Sequence, residues 1–369
     1  MPNPNAIVGN VLRLDPPLGQ QPTDALRGGA GQSVHLSGAR QIRLDPANPR
    51  SAGYAQILDG LRDLKLPVYL ELDPQSQFIT QLLIPLVSRV IDVLLSDDQS
   101  LTLELELSHA RHLLTREQPD FDAMERVARA AFANRAPIIL TEDDRHHLVD
   151  LRLLEVGPEV PLPAFLADRA SLERWRPNVF RRWLNWFCFW RWCCCLSRTR
   201  AQQVFDAMSA TSCNPLAAPP PCIPFMYPDD GCWARAHEMC RLMIAMGLAP
   251  EKVWIRGHLN TKTRNNPSCH VLWGYHVAPT LCVRGPKFYQ TARHVIDPSL
   301  FTTPVTEAVW KSVQGDINAT LTDTDASQYG PGGGTDPAYV DTNYWLTYFR
   351  LQLQLRALSV GPPPYAFCP

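Results

Sequence analysis

The chain has 369 residues, enough for two domains of ordinary size, and its 45% hydrophobic content is ample for buried cores. With 35 Lys and Arg against 36 Asp and Glu, its net charge of −1 gives no support to nucleic-acid binding, where at least one module carries a basic excess. Eleven cysteines are present, but four of them fall in one segment (Cys188, Cys193, Cys194, Cys195), which excludes an evenly spaced disulfide framework.

The first residues, Met1-Pro2-Asn3-Pro4-Asn5, have neither a basic start nor a long apolar run, so no secretory signal of the ordinary kind is expected. This leaves a cytoplasmic protein or one exported by another route, including delivery into another cell. Residues 1–165 read as an accessory α+β domain whose role the sequence leaves open. Its expected strands are Ala6–Leu14, Ser33–Leu36, Pro67–Leu72, Ile91–Leu95, Leu101–Leu107, Pro137–Leu140 and Leu148–Leu154, several of them alternating apolar with polar residues. One helix is expected, Asp120–Arg135, capped by Asp120 or Asp122 and ending before Pro137. His146-His147 beside Asp143, Asp144 and Asp150 is read as a solvated turn, because adjacent histidines point apart and the spacing is wrong for zinc.

Residues 166–203 form a connecting segment of different composition. Trp175 to Trp192 holds five of the ten tryptophans among arginines, followed by Cys193-Cys194-Cys195, and is too short to span a bilayer. It is either an interfacial element giving weak membrane association through 175–195 or an interdomain helix. The expectation is that its indoles pack against folded protein.

The second domain is expected to run from 204 to 369. A helix around Ala201–Met208 leads to Cys213 and, through a proline run, to Cys222. Then come the turn residues Pro228-Asp229-Asp230-Gly231 and a helix from Cys232 to about Ala245, stopped by Gly247. Cys232 thus sits in the first turn, where backbone N–H groups and the positive end of the helix dipole favour a thiolate. His237, five residues on, turns away from it. A strand at Lys252–Ile255 and a polar loop at Gly257–Pro267 follow. Next is an apolar run with His270 and His276 on one face, and then Ile296-Asp297 at the end of another strand. Cys240, Cys269, His270 and Cys282 lack the spacing of a zinc site, so no metal is expected. Val305–Val313 reads as a helix, Tyr329–Pro337 as a linker or flexible cleft wall, and Tyr344–Leu358 as a closing strand or helix.

A nucleophile at a helix start, a base on one strand and a carboxylate on the next is the chain order of papain-like and transglutaminase-like thiol enzymes. Within about 204–313 the sequence resembles bacterial protein-glutaminase. The similar runs are Ser212-Cys213 to Pro221-Cys222-Ile223, Tyr227-Pro228 with Asp230-Gly231-Cys232 and Ala234-Arg235-Ala236-His237, Trp273 with Tyr275-His276-Val277-Ala278, Ile296 to Phe301, and Pro304-Val305-Thr306. The resemblance implies an antiparallel sheet packed on the nucleophile helix. It also implies a Cys232–His276–Asp297 triad and hydrolysis of protein-bound glutamine to glutamate and ammonia, with no cofactor and a glutamine-bearing protein as substrate. Asp230, Gly231, Trp233, Trp273 and Tyr275 are the expected cleft residues. A Cys213–Cys222 bridge is implied in the same way, with two reduced thiols as the alternative. Transglutaminase, thiol peptidase and a catalytically silent binding module are the rival functions.

Overall fold

The computed structural model describes residues 6–18, 31–96, 98–106, 108–154, 195–216, 222–287 and 290–369. The expectation for Trp175–Trp192, with Cys188, Cys193 and Cys194, lies outside them. The described chain is mixed α and β, built on antiparallel sheets, and divides into two units. Met1–Pro163 with Leu351–Pro362 form the first, and Ala164–Arg350 with Pro363–Pro369 the second.

The first unit contains the same module twice. Three strands β1 (Ala6–Asp15), β2 (Ser33–Leu36) and β3 (Arg40–Arg43), a helix α1 (Ser51–Leu64) and two strands β4 (Pro67–Leu72) and β5 (Ile79–Leu83) form a sheet in the order β3-β2-β1-β4-β5. The second copy comprises β6 (Leu86–Leu95), β7 (Leu101–Leu105), β8 (His112–Leu114), α2 (Phe121–Asn134), β9 (Pro137–Glu142) and β10 (Leu148–Leu153). It repeats that order as β8-β7-β6-β9-β10. The local devices recur as well. Both helices end on a left-handed residue, Lys65 and Arg135, and both next strands open on a proline, Pro67 and Pro137. Both following turns are organised by an aspartate side chain, Asp73 and Asp143, accepting backbone N–H groups. Each first strand carries a bulge, at Val11–Arg13 and Val90–Asp92.

In the second unit, α3 (Arg198–Ser209) is capped by Ser197, and α4 (Cys232–Ala245) stops at Gly247 with φ of 77°. The sheet runs β14-β13-β12-β11-β15, with β11 (Glu251–Lys262), β12 (His270–Arg284), β13 (Thr291–Val295), β14 (Val305–Thr306) and β15 (Thr320–Asp325) all antiparallel. Helix α4 packs on β12. α5 (Glu307–Ser312) follows β14, a hairpin of β16 (Gln328–Gly330) and β17 (Gly333–Thr335) follows β15, and α6 (Val340–Ser359) closes the fold.

Four expectations are corrected. The polar stretch after Gly257 is not a loop; it extends β11 to Lys262, past a bulge at Arg256–Leu259. Tyr329–Pro337 is not a flexible linker, since it folds as the β16–β17 hairpin with Tyr329 buried. His146 is not solvated: it is buried, and only His147 faces water. The second domain also does not run unbroken to 369. Leu351–Pro362 belong to the first unit because the end of α6 packs on α1, where Gly60 and Gly53 leave room for Leu351 and Leu358. A Cβ on either glycine would come within 2.8 Å of those side chains.

Among the described residues, three disulfides tie the second unit together: Cys195–Cys282, Cys213–Cys222 and Cys269–Cys368. Cys232 and Cys240 are the free cysteines among the described residues. No helix among those residues is long and apolar enough to cross a membrane.

Candidate active site

Gly231 is the residue that lets the chain turn into α4. Its φ of 80° is left-handed, and a Cβ there would sit 2.3 Å from the Phe349 ring, so no side chain fits. Asp230 steadies the turn by accepting the Gly231 N–H at 2.8 Å. The Arg235 guanidinium, one helical turn after Cys232, donates to the carbonyls of Tyr227 at 2.9 Å and of Asp230. Cys232 is thereby held as the first residue of the helix, buried.

His276 comes from β12, opposite Ile255 of β11 and close to the β11 bulge. A bulge raises local twist and re-aims nearby side chains. The imidazole is stacked between two indoles, Trp273 at 4.5 Å and Trp310 at 5.4 Å between ring centres. Its Nε2 meets Asp297 Oδ2 at 2.9 Å, and the Trp310 indole N–H donates to that same oxygen at 2.9 Å. The other oxygen, Oδ1, accepts the Ser299 N–H at 3.2 Å. Trp273 is fixed in turn by donating to the Asp229 carbonyl at 3.0 Å, so His276 and the turn before Cys232 share one support. The Cys232 sulfur and a His276 ring nitrogen lie within 4.8 Å of each other.

Burial pushes the Cys232 thiol well above its ordinary value, with Arg235 and a hydrogen bond from the Val277 backbone pulling against it. The expectation of a helix-start thiolate is therefore reversed, because desolvation of a buried sulfur outweighs the helix terminus. Burial also works to raise Asp297. The His276 ring, the Trp310 N–H and the Arg235 charge outweigh it and hold the carboxyl below the usual range.

The structure brings Cys232, His276 and Asp297 together, with Asp230 and Gly231 forming the turn beside them. Trp233 is not a cleft wall: it is fully buried against Trp345 and Phe349, at 5.6 and 6.0 Å. Trp273 is the floor under His276, and Tyr275 is buried beside Trp254 at 5.8 Å. His270 is exposed, with Nδ1 near the Ser268 carbonyl. His237 is buried on the opposite side of α4, where its Nδ1 accepts from Lys252 Nζ at 2.9 Å. Sequence reasoning gave no role to Trp310, Arg235 or Asp229. Trp310 lies four residues past the last recognised motif, and its face of the helix, shared with Glu307 and Gln314, gave no apolar pattern to mark it.

A family described as glutaminase matches residues 201–314. None of the curated proteins matches the sequence. Among solved structures, pro-protein-glutaminase is similar over 78% of this chain and 99% of its own, at 21% identity and a TM-score of 0.51. Protein-glutaminase from Chryseobacterium proteolyticum is 30% identical over 47% of this chain and 97% of its own, with a TM-score of 0.39. The first of these likenesses carries the fold and the match over residues 201–314 carries the chemistry: this chain holds a domain of the protein-glutaminase family and is a glutamine-deamidating hydrolase.

Proposed function

We propose that deamidation runs through a thioester on Cys232, with His276 as acid and base and Asp297 as its orienting partner. The observation that carries this reading is the His276 ring, stacked between Trp273 and Trp310, bonded through Nε2 to Asp297 and within reach of the thiol. Because Nε2 serves Asp297, the nitrogen that exchanges protons with the sulfur is Nδ1. The thiol rests protonated, so its proton passes to Nδ1 as the sulfur bonds to the carboxamide carbon. His276 then hands that proton to the departing nitrogen, the C–N bond breaks and ammonia leaves. Water, deprotonated by the same nitrogen, cleaves the thioester to glutamate and free thiol. The Cys232 backbone N–H is the first donor to the oxyanion.

The accessory region, residues 1–165, is proposed to act on the catalytic domain as a pro-region, a reading supported by the likeness of the whole fold to a pro-form. Ammonia release by the full chain and by a chain starting near Arg198 tests it, and equal activity would sink the inhibitory role. Three disulfides fit folding in an oxidising compartment and so support export.

For the chemistry, Cys232→Ala and His276→Ala are each expected to lower ammonia release by a factor on the order of 10³ or more, without the two losses adding. Asp297→Asn keeps the fold and loses much of the rate. Full activity in Cys232→Ala would overturn the assignment. Lysine isopeptide cross-links in place of ammonia would move the reading to a transglutaminase.

A further inference from the structure

The duplicated module of the first unit supplies its own control. The two copies are seventy residues apart both from helix to helix (Ser51, Phe121) and from strand to strand (Pro67, Pro137). The same lone parallel bridge closes each edge, Arg43 to Phe78 and Leu113 to His147. Three positions can therefore be compared. Where the first copy has Ile42 and Leu72, both buried, the second has His112 and Glu142. The left-handed turn residue, Gln77 with φ of 59° in the first copy, is His146 with φ of 61° in the second. The fold makes this sheet edge and this turn with two apolar residues and an exposed glutamine. The second copy replaces them with two imidazoles converging on one carboxylate.

His112 Nδ1 lies 2.6 Å from Glu142 Oε2, and His146 Nδ1 lies 2.8 Å from Oε1. The three donor atoms lie within 4.8 Å of one another, from three different elements. Burying such a cluster where Ile and Leu suffice costs stability, so it calls for a ligand or a role. We propose that His112, Glu142 and His146 form a binding site for one divalent transition-metal ion of the zinc or cobalt class, held through the two Nδ1 atoms and the carboxylate. Two imidazoles and one carboxylate are the donor set such ions take. The outer partner that a ligating histidine requires is also present, because His112 Nε2 lies 2.9 Å from Ser108 Oγ. When a neutral His112 ligates through Nδ1, its proton moves to Nε2 and is donated to Ser108, so no proton is lost overall. The site lies in the first unit and is independent of the deamidation chemistry.

The spacing along the chain concealed this cluster, since His112 precedes Glu142 by thirty residues. The test is cobalt binding to full-length protein carrying Cys232→Ala, so that the Cys232 thiol and its neighbour His276 do not compete as ligands. Expected are one equivalent of Co²⁺ per chain, visible absorption bands of an N/O-ligated ion, and displacement by Zn²⁺. Adding His112→Ile, Glu142→Leu and His146→Gln, the residues of the sister copy, should keep the fold and weaken Co²⁺ binding by about 100-fold. If that variant does not fold, Glu142→Gln decides, with at least about tenfold weaker binding expected. Equal Co²⁺ binding by parent and variants, or no binding by the parent, would overturn the proposal.

Discussion

Trp310 donates its indole N–H to Oδ2 of Asp297 at 2.9 Å, the same oxygen that receives His276 Nε2. One carboxylate oxygen thus carries two ring N–H groups, and the indole also stacks on the imidazole it helps to orient. Trp310→Phe keeps the stacking and removes the donor. The expected cost is about 1.5–3 kcal/mol of stability, the worth of a hydrogen bond to a buried charge, together with a lower kcat at nearly unchanged KM. Urea unfolding and steady-state ammonia release check both. Unchanged kinetics would reduce Trp310 to a packing residue.

Gly231→Ala places a methyl group 2.3 Å from the Phe349 ring at a φ of 80°. Strain from the left-handed backbone costs about 1–2 kcal/mol, and the clash adds to it. Phe349→Leu in the same chain should recover the clash and leave the backbone strain, so a double-mutant cycle separates the two. Full additivity in the cycle would show that Phe349 is not the obstruction.

His237 is pushed down to about 4 by burial first and by the Lys252 charge second. Its folded value lies below the ordinary 6.5, so the folded state binds fewer protons than the unfolded one between the two. The stability it contributes is present above pH 6.5 and is lost as pH falls through 4, at most on the order of 3 kcal/mol. His237→Gln, whose carbonyl still accepts from Lys252, should flatten the decline in stability between pH 6.5 and 4. An unaltered acid limb in chemical denaturation would place the loss in other groups.

Reduction should destabilise the second unit unequally. The bridges Cys195–Cys282 and Cys269–Cys368 close 87 and 99 residues, against nine for Cys213–Cys222. Chain entropy assigns roughly 4–5 kcal/mol to each long loop and about 3 or less to the short one. Paired serine substitutions should lower Tm in that order, as calorimetry would record.

Much of the strand pattern was legible because it follows apolar alternation, as at Ser33–Leu36, or a short apolar run, as at Pro67–Leu72, and the structure has both strands. The helix of Cys232 was legible from its turn residues and its stop at Gly247. Helix α1 was not, because Gly53 and Gly60 depress local helix propensity; they are there to admit Leu358 and Leu351 of α6. The same long-range contact hid the true edge of the second unit. The duplication escaped because its copies share turn devices rather than residues. Pro67-Val68-Tyr69-Leu70 and Pro137-Ile138-Ile139-Leu140 keep only the proline and the final leucine. At the candidate site, Cys232, His276 and Asp297 were readable by motif. The indole beneath and the indole above the imidazole needed the sheet to be folded before they met.

Helix α6 gives the chain an interlaced order. Its first half lies with the second unit, its end completes the first, and Cys368 beyond it returns to the second through Cys269. Cutting the backbone before Cys195 would therefore not divide the molecule into two finished parts. The second unit would inherit the last turns of α6, with Leu351 and Leu358 stripped of the glycine notches on α1 that accept them. A cut there would be a repacking as well as a cleavage, because the end of α6 would have to find another apolar surface or unwind.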